Sequence, residues 1–257
     1  MKKTIGLLML VAIVCSPVWA ETITFKKGEN GYNGNTDSYI RQESIYRNYG
    51  AAMDISLGWE SVSSGQDFVG FSHWAFDGIP SGLTIQSAKL GLYARHVEGT
   101  ADRTISIFAM TQPIDMGNKI GSNADEGQVC WYFRACDVSN WGGDTHAGPV
   151  AGLDYTTTYG SSLVVSTSDQ GSYVEFDVTD IVNAWYTGAL TNYGFVLREV
   201  NPVENTRTNF SSADDIDTDG DNLIMYPYLT VTYVPEPATM ALLLVGGGLA
   251  TLRRRSR

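Results

Sequence analysis

Ala88-Lys89-Leu90-Gly91-Leu92-Tyr93-Ala94-Arg95 alternates without a break: Ala88, Leu90, Leu92 and Ala94 take one side, Lys89, Tyr93 and Arg95 the other. Successive side chains on a strand point to opposite faces, so this stretch reads as a strand with one face in a core and one in water. The same period returns on either side of it. Val69, Phe71, His73 and Ala75 precede it; Ile105, Ile107 and Ala109, then Val174, Phe176 and Val178, then Leu229, Val231 and Tyr233 follow. Gly- and Asp-rich turns separate these runs, and the pattern predicts an all-β fold of two packed antiparallel sheets. One segment breaks the period. Val178, Ile181, Val182 and Trp185 fall at i, i+3, i+4 and i+7, one face of a short helix that Asp177 caps and Gly188 ends, with Trp185 in the core.

Outward from this body, both ends of the chain read as addresses. Lys2 and Lys3, an apolar run from Ile5 to Val14, and Val18-Trp19-Ala20 form a secretory signal, with cleavage between Ala20 and Glu21. The run is shorter than the roughly 20 residues that span a bilayer. At the other end, Val234-Pro235-Glu236-Pro237 leads into fifteen uncharged residues, Ala238 to Leu252, and then Arg253, Arg254, Arg255 and Arg257. Fifteen helical residues reach roughly 22 Å, a marginal anchor whose arginines stay on the cytoplasmic side. Residues 21–233 contain no linker long enough to divide them, so one domain is expected between the signals.

The chain has 257 residues, 28 acidic and 17 basic, for a formal charge of −11. Removing the two signal lysines, the four tail arginines and Glu236 leaves 11 basic and 27 acidic residues, a charge of −16 on the exported body. Nucleic-acid binding requires a basic face, and the total excludes it. With 43% hydrophobic residues the chain can bury a core, so global disorder is excluded as well.

Two resemblances are carried by particular residues. The segment from Val234 through the arginine cluster is similar to the PEP-CTERM sorting signals of Gram-negative bacteria, in which Pro235, Glu236 and Pro237 would form the motif. That implies transient anchoring in the inner membrane, processing by an exosortase, and delivery to the cell surface or an exopolysaccharide matrix. The body resembles a DNRLRE-type domain. Its first half carries Asp37-Ser38-Tyr39-Ile40, Asn48-Tyr49-Gly50, Phe76-Asp77-Gly78-Ile79-Pro80-Ser81-Gly82 and Ile85-Gln86-Ser87-Ala88-Lys89-Leu90. The second half carries Phe176-Asp177-Val178-Thr179, Trp185, Asn192-Tyr193-Gly194-Phe195 and Tyr226-Pro227-Tyr228-Leu229. The resemblance implies a jelly-roll β-sandwich related to carbohydrate-binding modules, some of which take acidic polysaccharides. The chain departs from that pattern between Cys130 and Asp144, where two cysteines accompany the tryptophans.

Three constellations bear on chemistry. Cys130 and Cys136 are the cysteines left after signal removal, and outside the cytosol an even pair favours a structural disulfide over free thiols. Asp215, Asp217, Asp219 and Asp221, around Gly220, alternate as calcium-loop ligands do, but Tyr226 stands where an EF-hand would place its closing glutamate. Calcium and a plain acidic turn both remain open readings. Sugar binding needs aromatic faces, and Trp131 and Trp141 with Asp144 are the candidates, among the wider set Trp59, Tyr132 and Tyr155. Catalysis finds no motif: His73, His96 and His146 lack a recognisable nucleophile nearby. The expectation is a non-catalytic, secreted carbohydrate-binding module for a polysaccharide, neutral by preference because a body at −16 repels polyanions. Its rivals are a structural matrix protein that engages other proteins and, more remotely, a polysaccharide-degrading enzyme.

Overall fold

The structure, a computed structural model, describes residues 19–60, 67–76, 78–144, 146–200, 204–216 and 224–235. Eleven strands hydrogen-bond into one sheet: β1 (Glu21–Lys26), β2 (Asn35–Arg41), β3 (Asp54–Trp59), β4 (Asp67–Trp74), β5 (Leu83–Glu98), β6 (Arg103–Met110), β7 (Tyr155–Val165), β8 (Tyr173–Asp177), β9 (Phe195–Glu199), β10 (Thr206–Ser211) and β11 (Tyr228–Pro235). The order along the sheet is β1-β11-β5-β10-β3-β4-β9-β6-β7, with β8 beside β5 and β2 beside β4. Every pairing between these strands is antiparallel. The protein is therefore all-β with one short α-helix among the described residues.

The strand singled out by its alternation, β5, turns the sheet around the core. Along one edge it pairs with β11 from Leu83 to Gly91 and then with β10 from Ala94 to Glu98; β8 pairs along its other edge from Lys89 to Tyr93. A change of neighbour in mid-strand curls the sheet, so that two arms face each other across one core. From one arm come Ala88, Leu90, Leu92 and Ala94 of β5, Phe176 of β8 and Val231 of β11; from the other come Ile55 and Leu57 of β3, Ile105 and Ile107 of β6, and Phe195 of β9. All are buried.

Helix α1 (Thr179–Tyr186) closes the end of this core as its spacing predicts. Asp177 Oδ1 accepts the Thr179 N–H at 3.0 Å, and Gly188, at φ 75°, lets the chain leave after donating to the Trp185 carbonyl. Ile181, Val182 and Trp185 face inward, and the Trp185 ring packs 4.7 Å from Phe195.

A second core lies on the Val69 and Phe71 side of β4, the face that the alternation assigns inward, while Trp74 on the opposite face, which the alternation alone left to solvent, enters the main core. Residues 111–154, between β6 and β7, lay Met116, Val129, Trp131 and Trp141 over Ile40, Val69, Phe71 and Val196. Two buried polar side chains fasten this cover. Asn48 donates to the Met116 and Val129 carbonyls at 2.7 and 3.0 Å and accepts the Gly50 and Lys119 amides. Asp154 accepts the Gly142 and Val150 amides, each at 2.8 Å. Buried polar atoms without partners are costly, so such saturated hubs fix one path for a long irregular segment.

Asp37 makes a comparable tie on the inward side of β2, accepting the Ala213 N–H at 2.6 Å. Burial raises its pKa from an ordinary 3.8 to about 7, with the Ala213 amide opposing and Asp214 adding to the rise. A raised folded-state pKa gives stability that is complete below the unfolded value and is lost as pH climbs through the folded one. Asp37→Asn keeps an acceptor for Ala213 but cannot titrate. Its stability relative to the native protein is expected to improve from about pH 4 to pH 7 by roughly 4 kcal/mol, at about 1.4 kcal/mol per pH unit. Urea midpoints across that range measure this; parallel pH profiles for the two proteins would contradict it.

Candidate functional site

The face of β5 opposite the core is open, and its neighbours extend it. Cross-strand registry lines up Lys26, Tyr228, Gly91 and Glu175 in one row over β1, β11, β5 and β8. Thr24, Thr230, Lys89 and Asp177 form the next row, and Tyr93 stands beside Tyr173. Gly91 decides the shape of this face. A Cβ placed on it would stand 2.2–2.6 Å from three carbons of the Tyr228 ring, so the ring lies against the strand only because glycine is there. Tyr173 follows with its ring centroid 5.1 Å from that of Tyr228, and Tyr93 a further 5.3 Å along. All three tyrosines are partly exposed.

Hydrogen bonds hold the rings in place. Tyr228 donates its hydroxyl to Glu175 Oε1 at 2.7 Å, while Lys89 donates to Glu175 Oε2 at 2.8 Å. Tyr173 donates to the Tyr226 carbonyl at 2.9 Å. The Lys89 and Tyr228 donors hold the Glu175 carboxyl below the usual range. Burial and then the Tyr93 neighbour push the Tyr173 phenol up to about 12, and burial with the Glu175 hydrogen bond raises that of Tyr228. The face thus presents neutral phenols and paired charges at any working pH. A tyrosine packed against a sheet, with fixed donors and acceptors beside it, is a surface against which an apolar ring face can stack while its polar substituents hydrogen-bond.

The residues expected from sequence lie elsewhere. Trp131 and Trp141 are only 4% and 1% exposed, in the second core. The Trp141 indole donates to the Cys130 and Trp131 carbonyls, and its ring stacks 5.9 Å from Phe71. Neither tryptophan offers a ring face to a ligand, because β4 needs both to cover its outer side. Asp144 is exposed and accepts a hydrogen bond from Asn140 Nδ2 at 3.0 Å, away from any open aromatic surface. Tyr155 is also buried, Trp59 is partly so, and Tyr132 packs on His146. The platform tyrosines carried a readable signal: Tyr93 sits in the outward register of the opening strand, and Tyr228 precedes the inward run Leu229, Val231 and Tyr233.

Cys130 and Cys136 are both buried in one turn, as free thiols, where Gly127 donates to the Cys136 carbonyl and Cys136 to the Gln128 carbonyl. Burial pushes the Cys130 thiol up to about 12, and the neighbouring Cys136 adds to the rise. Asp215 is buried and paired with Arg95 at 2.7 Å. Asp217, Asp219 and Asp221 lie outside the described residues, as do Glu236 and Pro237; Pro235 ends β11. Among the described residues no group of three or more side chains could hold a metal ion, and no helix is long and apolar enough to cross a membrane. Ala20 is exposed, and Glu21 opens β1, its carboxylate accepting from the Tyr233 hydroxyl at 2.9 Å.

Fold and site together define a class: an all-β domain with a partly exposed, polar-aromatic sheet face, whose Tyr228, Tyr173 and Tyr93 rings are tilted 54° and 65° to one another. No family model matches the chain, and no curated protein matches it.

Proposed function

We propose that the body is a jelly-roll sandwich of the DNRLRE type, exported and non-catalytic, that binds a neutral polysaccharide along Tyr228, Tyr173 and Tyr93. The observation that carries the reading is the Tyr228 ring packed directly against Gly91. The jelly-roll assignment rests on β5, which serves both arms of the curled sheet. Charge supports a neutral ligand: Lys89 answers Glu175 and Lys26 answers Glu29, so no unpaired cation waits for a uronate or sulfate. Glycan-array binding by the purified protein is the test. Tyr228→Ala and Tyr173→Ala should each weaken binding about tenfold or more, the effect of losing about 1.4 kcal/mol of contact, and Gly91→Val should do the same by lifting the Tyr228 ring. Saturable binding that ignores all three changes would overturn the assignment. A protein that binds no glycan at all belongs instead to the structural matrix class.

The same reading includes the addresses. We propose export through the signal ending at Ala20, transient anchoring by the tail, and exosortase processing at the Pro235-Glu236-Pro237 motif, with delivery to the surface or matrix of a Gram-negative cell. Pairing of Glu21 with Tyr233 supports this, because both processing points then flank one strand pair at the sheet edge. It also includes a disulfide between Cys130 and Cys136, which the shared turn favours and which would contribute on the order of 2–3 kcal/mol. Mass spectrometry of exported material checks both. The expected species begins at Glu21, lacks the terminal arginines, is lighter by two hydrogens and takes up no alkylating agent. An intact Arg257 would end the processing proposal, and two alkylated cysteines would end the disulfide.

A structural calcium ion at Asp215, Asp217, Asp219 and Asp221 completes the proposal. The pairing of Asp215 with Arg95 and of Asp214 with Lys27 argues against both as free ligands, so the calcium reading rests on the alternation of carboxylates around Gly220. Millimolar calcium should raise the melting temperature and a chelator should lower it; identical melting in both would remove calcium from the account.

A further inference from the structure

A second concave site lies on the outward side of the other arm. It is a cleft of about 350 Å³ between the β2–β4 pair and the start of the 111–154 cover. Thr36 and His73 face each other across the β2–β4 pairing, His73 half-buried inside the cleft and Thr36 exposed at its rim. Ile114, Asp115 and Met116 line one wall, and Tyr193 lines the other. This is the volume and the mixture of apolar walls with a few polar groups that small-ligand sites have.

The walls are held rigidly by bonds that use only part of the hydrogen-bonding capacity of His73 and Asp115. Asn192 is fully committed, donating to the Trp74 carbonyl at 2.7 Å and accepting the Gly194 N–H at 3.1 Å, and so fixes the position of Tyr193. Asn48 fixes the other wall through the Met116 carbonyl. Asp115 accepts the Gly117 N–H through Oδ1, and its Oδ2 has no partner among the described residues. Burial holds the His73 pKa below the ordinary histidine range, opposed by a hydrogen bond between the imidazole and the Asn192 backbone, so the ring is uncharged at neutral pH and keeps one nitrogen for a ligand. The cleft therefore offers one carboxylate, an uncharged imidazole, a threonine hydroxyl and a phenol against apolar walls; among the described residues its lining includes no lysine or arginine, and Arg134, beside it, is bonded to the Pro113 carbonyl. The Asp115 carboxylate disfavours an anion there.

We propose that this cleft is a second carbohydrate site, taking a neutral sugar unit at a chain end or branch, whose hydroxyls pair with Asp115, His73 and Thr36 while its C–H face packs on Tyr193. The inference rests on the reading that the protein contacts neutral glycan, and adds a separate point of contact. The platform and the cleft lie on the outward faces of opposite arms, with the main core between them. One molecule can then hold two polysaccharide chains, or two stretches of one, and bridging raises avidity without tightening either contact.

Calorimetry of the purified protein with neutral tetrasaccharides of β-1,3-glucan, β-1,4-glucan and β-1,4-mannan, with amide shift mapping, tests the proposal. Two sites per molecule are expected with at least one of these probes. Tyr228→Ala should leave the cleft occupied, with shifts around His73 and Tyr193. His73→Gln, and Thr36→Lys on the exposed rim, where folding is not at stake, should each abolish that site and leave the platform. A single site lost with Tyr228→Ala and indifferent to His73→Gln and Thr36→Lys would overturn the cleft and retain the platform. A single site lost only with the cleft variants would retain the cleft and overturn the platform. No binding by any probe would overturn both.

Discussion

The long strand Leu83–Glu98 is the constraint on which the other elements depend. Its inward residues Ala88, Leu90, Leu92 and Ala94 meet both arms of the curled sheet, and each fully buried leucine of this kind is worth about 1.5–3 kcal/mol. Its outward residues form the platform. A one-residue slip of its pairing would exchange the two sets, placing Lys89 and Tyr93 in the core and two leucines in water. Register is therefore locked by burial, and the same lock places Gly91 beneath Tyr228. Core and site are two consequences of one alternation.

A second device appears twice. Asn48-Tyr49-Gly50 and Asn192-Tyr193-Gly194 each use the asparagine carbonyl oxygen to accept the amide two residues on, and the asparagine amide to donate to a distant carbonyl. The glycine is obligatory in both. A Cβ at Gly50 would meet the Met116 carbonyl oxygen at 2.1 Å, and one at Gly194 would meet the Ser72 carbonyl oxygen at 2.7 Å. Asn192 ties its loop to the β4 strand, and Asn48 ties the 111–154 cover to the loop after β2. The cleft stands between these two ties, which is why its walls are set before any ligand arrives.

The elements that a period reveals were legible in the sequence, and those that a topology creates were not. Strand faces at Ile105, Ile107, Val174, Phe176, Leu229 and Val231, and the helix with Trp185 inward, follow from local spacing and are found so. The tryptophans misled for a physical reason. Trp131 and Trp141 sit among glycines and polar residues, the composition of an exposed loop, yet that loop is the cover of a second core, and only the three-dimensional path shows that β4 has apolar side chains on both faces. Conversely, Tyr228 reads as one more aromatic near the end of the chain until the register puts it over a glycine that five strands of the sheet separate from it in sequence. Alternation says which residues look outward; it does not say which of them are neighbours.

The distribution of charge gives the open face its character. Of the 11 basic residues in 21–233, Lys26, Lys27, Lys89 and Arg95 lie on or beside the platform, and each meets a carboxylate: Glu29, Asp214, Glu175 and Asp215. Arg103 and Arg198 are drawn inward, the first to the Glu98 and Ala101 carbonyls and the second to Asp67. The platform has no excess of cations, since Asp177 stands in the Lys89 row beyond these four pairs, and the net negative charge of the chain repels copies of it from one another. A polyanion approaching from any direction meets that field and finds no free cation on the tyrosine face to offset it. On the proposed reading an uncharged chain would meet neither cost, and the work of holding it would fall to ring stacking and hydrogen bonds that the sheet has already positioned.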